Sequence, residues 1–144
     1  MDDGLDAAMV TFARGDRLAA LRLLESLDGA VAELPRARAL RGLLLATERG
    51  LVREGVELAR AASASAPEDP WLAATLARTQ LRAGDKSGAI ETLKAGARHH
   101  PDHEDIHALF VEIGVRRPLL FKTLPRSHPL NRYLGLLSVR LGLR

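Results

Sequence analysis

Residues 70–101, PWLAATLARTQLRAGDKSGAIETLKAGARHHP, are the stretch that decides the fold. Apolar residues recur at helical spacing on both sides of Gly84-Asp85, which predicts two short helices joined by a tight turn. Gly84 can end the first helix because glycine adopts a left-handed backbone conformation at low steric cost. Asp85 or Ser87 can cap the second helix by accepting a hydrogen bond from one of its free amides, and Pro101 stops it.

The turn at Gly84 has two counterparts upstream. Gly15, Gly50 and Gly84 stand 35 and 34 residues apart, and a helical pattern precedes and follows each of them. A repeat of about 34 residues made of helix, turn and helix resembles the tetratricopeptide repeat. The resemblance rests on spacing and on the alternation of small and large residues. The aromatic residues that often mark the first helix in this family are replaced here by Ala39, Ala73 and His107.

The resemblance assigns equivalent positions to the second and third units. In this family the second helix of a unit carries a small residue, a larger apolar residue, another small residue and a closing proline. In the third unit, which begins at Pro70, these are Ala89, Leu93, Gly96 and Pro101. In the second unit, which begins at Arg36, they are Gly55, Ala59, Ala62 and Pro67. Gly42, inside a helix, costs about 1 kcal/mol relative to alanine and is expected where a neighbouring helix crosses.

The sequence therefore predicts an all-α fold, a right-handed solenoid of stacked helix-turn-helix pairs. Abundant Ala and Leu favour helix, and an aromatic content of 3% argues against sheet. The array is expected to span residues 1–114, as units at about 1–35, 36–69 and 70–103 and a partial unit at 104–114. In the first unit, the GAVAELP stretch after Asp28 is expected to be a looser linker. Leu18, Leu21 and Leu24 are expected to form the buried stripe of the second helix.

Residues 115–144, which we call the basic tail, depart from the repeat. Three prolines in RRPLLFKTLPRSHPLN interrupt the place of the next second helix. A last apolar helix, Leu130 to Leu143, is expected to cap the core face that the final unit leaves exposed. The tail carries seven basic residues and no acidic ones, whereas the rest of the chain is net acidic.

Composition argues against several classes of protein. Without cysteine, neither a disulfide framework nor a thiolate metal site can form. The first residues lack the features of a signal peptide, and no run reaches the ~18 apolar residues of a membrane span, so we expect a cytoplasmic location. Glycine-rich phosphate loops, Ser-His-Asp or Cys-His sets and a recognisable nucleic-acid module are missing from the sequence. We therefore expect no catalysis, no cofactor and no nucleic-acid partner.

One motif points towards metal chemistry. HEDIH, residues 103–107, matches HExxH, in which two histidines one turn apart bind zinc and the glutamate activates water. However, the repeat register places His103 at the very start of a helix, and Asp105 puts a charge where zinc proteases have an uncharged residue. Beyond Glu112, only His128 could serve as a third ligand. We interpret the match as incidental and expect no metal.

The family resemblance implies a concave groove, lined by the first helix of each pair, that holds a peptide or a partner's helix. The residues at the main lining positions are Leu44, Glu48, Trp71, Arg78, Arg82, Glu112 and Arg116. A wider set comprises Leu5, Met9, Phe12, Leu40, Ala74, Asp105 and Ala108. Trp71, Arg78 and Arg82 share one helical face, and aromatic and arginine side chains are frequent interface anchors. The alternative is that Trp71 fills the junction after Pro70 and the arginines are simply solvated.

These features predict a non-catalytic protein–protein interaction module, an adaptor or assembly factor. Family members that bind the C-terminal carboxylate of chaperones use lysine and asparagine in their first unit. This chain has Leu5 and Met9 there, so that ligand is not expected. The alternative function is a peripheral membrane or self-assembling scaffold that uses the basic tail, because arginine-bearing, leucine-rich helices can lie in a lipid interface.

Overall fold

A computed structural model describes residues 3–114 of the chain. In this part every regular element is a helix, which confirms the all-α prediction. The helices are α1 (Asp3–Ala13), α2 (Arg17–Glu25), α3 (Gly29–Ala32), α4 (Pro35–Glu48), α5 (Val52–Ser65), α6 (Pro70–Arg82), α7 (Lys86–His99) and α8 (Glu104–Ile113). Arg116 and the predicted capping helix, Leu130 to Leu143, lie outside the described residues. Within residues 3–114, no helix is long and apolar enough to cross a membrane.

The helices pack as successive pairs. α1 packs on α2, α4 on α5, and α6 on α7. The first two pairs meet through α2 and α4, and the next two meet through contacts of α4 and α5 with α6. α8 then packs on α6 and α7. α6 is the central helix, with eight of its 13 residues buried, because four other helices pack on it.

The turns between paired helices have the predicted chemistry. The turn glycines adopt left-handed conformations, with φ of 90° at Gly15, 69° at Gly50 and 79° at Gly84. Asp85 caps α7 by accepting a hydrogen bond from an amide of its first turn at 2.8 Å. Asp16 caps α2 in the same way. Any residue with a Cβ would strain the backbone at these three glycines.

α4 and α5 approach each other through glycines. A Cβ atom on Gly42 would stand 2.5 Å from the carbonyl oxygen of Gly55 and 3.1 Å from the amide nitrogen of Ala59. A Cβ atom on Gly55 would collide with the carbonyl oxygen of Gly42. The two helices therefore touch through their backbones, which confirms the expected close crossing at Gly42.

Arginine–carboxylate pairs link each helix pair to the next. Three of them are Arg49–Glu25 at 2.7 Å, Arg36–Asp69 at 2.8 Å and Arg78–Asp105 at 3.1 Å. All three are partly exposed to solvent. Exposed pairs contribute little to the free energy of unfolding, so these contacts orient neighbouring units more than they stabilise them.

One expectation for the first unit is wrong, and a second is wrong at one residue. The stretch after Asp28 is a short helix, α3, instead of a looser linker. Val31 and Leu34 pack on the core cluster formed by α1, α2 and α4, and burial of these side chains favours an ordered backbone. In α2, Leu21 and Leu24 are buried as expected, but Leu18 is 52% exposed. The buried stripe of α2 begins at Ala20, two residues and about 200° farther around the helix.

Candidate binding cleft

One cleft in the described part of the chain is lined mainly by the first helices of successive pairs. Its volume is about 720 Å³. The lining residues are Met9, Phe12, Ala13, Arg17, Leu43, Thr47, Trp71, Arg78, Leu81, Arg82, Asp105 and Glu112. They belong to α1, α4, α6 and α8, with Arg17 at the start of α2. Volumes of this size are typical of ligand sites.

Four of the main predicted groove residues line this cleft: Trp71, Arg78, Arg82 and Glu112. Glu48 does not line it. Its carboxylate lies 3.7 Å from Nη1 of Arg17, which does line the cleft. Glu48 is thus placed beside the cleft, at the joint between the first two units.

Leu44 does not line the cleft either, and unlike Glu48 it lies in the core. It is fully buried, in the same core cluster as Leu21 and Leu40. Leu43 and Thr47 line the cleft on α4 instead. Consecutive helical residues lie about 100° apart, so the cleft face of α4 is rotated by one position from the face that the family register indicates. The assignment of Leu44 to the groove is therefore wrong.

The wider set of predicted lining residues divides between cleft and core. Met9, Phe12 and Asp105 line the cleft, whereas Leu5, Leu40 and Ala74 are buried and Ala108 is exposed outside it. The cleft is also lined by five residues that were not predicted: Ala13, Arg17, Leu43, Thr47 and Leu81. Most of them lie within one residue of a predicted position. A broader stripe, two residues wide on each first helix, would have found all of them except Arg17, which begins α2.

Trp71 is held in the cleft by residues of the second unit. Its ring is partly buried against the core clusters on both sides of α4. The guanidinium carbon of Arg36 lies 5.7 Å from the ring centroid, within reach of a cation–π interaction. Arg36 also donates two hydrogen bonds to Asp69, at 2.8 and 3.2 Å. Asp69 in turn caps α6 by accepting from the Trp71 amide at 3.0 Å. Trp71 thus both fills a junction and lines the cleft.

The charged side chains of α6 and α8 differ in their pairing. Nη2 of Arg78 donates to Oδ1 of Asp105 at 3.1 Å in a partly buried contact. Arg82 and Glu112 are exposed, and neither has an ion-pair partner among residues 3–114. Arg78 therefore joins α6 to α8, while Arg82 and Glu112 carry charges that a ligand can reach.

The HEDIH motif has the wrong geometry for a zinc-protease helix. His103 is the N-cap of α8, with extended backbone at φ −70° and ψ 122°, so only His107 lies within the helix. Asp105 is engaged by Arg78. Within residues 3–114, no group of three or more His, Cys, Asp or Glu side chains is arranged to hold a metal ion.

Comparison with known proteins identifies the repeat. Residues 46–110 match the family model described as tetratricopeptide repeat. The match runs from the end of α4 into α8 and includes the turns at Gly50 and Gly84, so the chain carries tetratricopeptide repeats over this segment. The recognition of the repeat from spacing is thereby confirmed. Repeats of this family generally mediate protein–protein interaction. No curated protein and no solved structure gives a significant match to the chain.

Proposed function

We propose that the chain is a non-catalytic interaction module, an adaptor or assembly factor, whose cleft binds a peptide or a helix of a partner protein. The observation that carries the proposal is the convergence of α1, α4, α6 and α8 on one cleft. A single bound segment would contact the first helix of every unit. The general role of the family in protein–protein interaction supports the same function.

The proposed architecture is a right-handed solenoid. In support, α2 packs on α4, α5 on α6, and α7 on α8, so the second helix of each pair contacts the first helix of the next. When this packing repeats, each unit contacts only its neighbours, and the first helices form one continuous surface. The cleft would be the concave side of that surface.

A photo-crosslinking amino acid at Ala13 tests the proposed function, because Ala13 is exposed and lines the cleft. Glu57, exposed on α5 and outside the lining, is the matched control position. In native cell extract we expect protein adducts from Ala13 and few from Glu57, and mass spectrometry would identify the bound segment. Equal yields at the two positions, or no protein adduct at Ala13, would contradict binding in the cleft.

The alternative function, a scaffold at a membrane surface or in a self-assembly, rests on the seven basic residues of the tail. We propose instead that Leu130 to Leu143 caps the array. Leu134→Ala and Leu137→Ala should then lower the melting temperature of the whole protein, because repeats depend on their neighbours. Unchanged melting, with salt-sensitive binding to anionic vesicles that these substitutions weaken, would favour the scaffold. Unchanged melting with weakened self-association would do the same.

A further inference from the structure

The floor of the cleft is apolar and incompletely buried. Met9, Phe12 and Trp71 are partly buried and pack on the core cluster beneath them. Leu43 and Leu81 continue the floor on α4 and α6. Aromatic and large apolar side chains that converge in a concave site are the usual anchors of an interface. The floor is therefore suited to large apolar side chains of a partner.

Arginines flank this floor. Arg17 follows α1, and its side chain is 57% exposed. Its 3.7 Å contact with Glu48 is longer than a hydrogen bond, and exposed ion pairs of this kind are weak. Arg82 is at the end of α6, exposed and without an ion-pair partner among residues 3–114. Arg17 and Arg82 can therefore form ion pairs with carboxylates of a ligand.

The acidic residues that line the cleft, Asp105 and Glu112, both lie on α8. α8 supplies none of the apolar lining residues. Asp105 is neutralised by Arg78, which leaves Glu112 as the acidic group that a ligand can reach. Two arginines, Arg17 and Arg82, thus remain next to the apolar floor, with Glu48 beside Arg17 and Glu112 as the reachable lining carboxylate.

The chain's own basic tail cannot complement these arginines. Residues 115–144 contain no aspartate or glutamate. Like charges brought together at an interface are unfavourable, so the tail is a poor occupant of the part of the cleft between Arg17 and Arg82. A segment that carries carboxylates would complement these arginines better than the tail does.

We infer that the cleft binds a segment of another protein in which large apolar residues are flanked on both sides by aspartate or glutamate. The inference rests on the proposed function and adds the chemistry of the partner. The apolar side chains would fill the floor formed by Met9, Phe12 and Trp71. The side-chain carboxylates before and after them would pair with Arg17 and Arg82.

A random peptide library displayed on phage and selected on the full chain tests this inference. We expect the selected peptides to carry Asp or Glu on both sides of Leu, Phe or Trp. The affinity of a synthetic selected peptide that contains no tryptophan can be followed by the emission of Trp71, the single tryptophan of the chain, which lines the cleft. Replacing the peptide's acidic residues by lysine should weaken binding about tenfold or more at low salt.

Charge reversal in the protein supplies the matched comparison. Arg82→Glu should weaken binding of the acidic peptide and strengthen binding of its lysine version. Arg60→Glu, at an exposed position on α5 outside the cleft, should change neither affinity. Peptides selected without acidic flanks, or indifferent to Arg17→Glu and Arg82→Glu while still shifting Trp71 emission, would overturn the inference and leave the proposed function standing. If no selected peptide perturbs Trp71, both the inference and the proposed function fail.

Discussion

The second and third helix pairs follow the same repeat, but the two helices of each pair contact each other in different ways. In the second, α4 and α5 meet at Gly42 and Gly55, with backbone against backbone. In the third, Leu76 and Ala89 occupy the equivalent places 34 residues farther along, and both are buried. α6 and α7 are therefore separated by side chains where α4 and α5 touch directly.

This difference shows that the period of the repeat and the volume of its residues act separately. The period places the turns, and the volume at the crossing sets how closely the paired helices approach. Leu93 is fully buried where the second unit has Ala59, so side chains fill the core of the third unit. We therefore expect the third unit to be destabilised by the removal of side-chain atoms and the second unit by their addition.

Leu93→Ala should have the largest effect, because it gives the third unit the residue of the second. Leu93 is 0% exposed and packs in one cluster with Ala74 and Ile106. The cavity left by its side chain should lower the free energy of unfolding by about 2–5 kcal/mol, measured by chemical denaturation. Lys94→Ala, at the exposed neighbour, should change it by less than about 0.5 kcal/mol. A loss of less than about 1 kcal/mol for Leu93→Ala would mean that α6 and α7 can move together and fill the cavity, and so approach each other as closely as α4 and α5 do.

Gly42→Ala should have the next largest effect, by the opposite mechanism. The new methyl group would stand 2.5 Å from the carbonyl oxygen of Gly55 and would force α4 and α5 apart. Overpacking of this kind costs about 1–3 kcal/mol. That cost is offset by up to about 1 kcal/mol, because alanine favours helix over glycine. Denaturation of Gly42→Ala beside Arg41→Ala, an exposed neighbour, measures the net loss. A stabilised Gly42→Ala variant would show that the two helices do not touch through their backbones.

The sequence predicted well those features that depend on local chemistry. A glycine between two helical patterns is enough to indicate a left-handed turn, as at Gly84, and an aspartate after it indicates a cap, as at Asp85. The repeat itself follows from the spacing of such turns. These features need no knowledge of neighbouring helices, because the backbone conformation of a few residues determines them.

The faces of the helices were harder to predict, because they depend on tertiary packing. Leu43 and Leu44 are both apolar and both buried, and only the position of α2 and α6 around α4 decides which of them lines the cleft. On α6 the register of the repeat agrees more closely with the structure, and Trp71, Arg78 and Arg82 all line the cleft. The helix α3 was missed because four residues carry too weak a periodic signal to distinguish helix from linker.

The smallest predicted effect concerns how these two units attach to their successors. The second unit holds the third through Arg36 and Asp69, and the third holds α8 through Arg78 and Asp105. Asp69 also caps α6, so removing it should lower the free energy of unfolding more than removing Asp105 does. A double-mutant cycle with Arg78→Ala and Asp105→Ala isolates the ion pair itself.

We expect a coupling energy of about 0.2–1 kcal/mol from this cycle, because the side chains of Arg78 and Asp105 remain 30% and 42% exposed. The coupling should fall towards zero in about 1 M salt, where the Debye length is shorter than most distances between exposed charges. Such a pair would orient α8 while contributing little to stability, and it would leave Arg82 as the arginine of α6 available to a ligand. A coupling energy above about 2 kcal/mol that persists in salt would instead mean that the Arg78–Asp105 contact is shielded from water. The contact between α6 and α8 would then be as rigid as the glycine contact between α4 and α5.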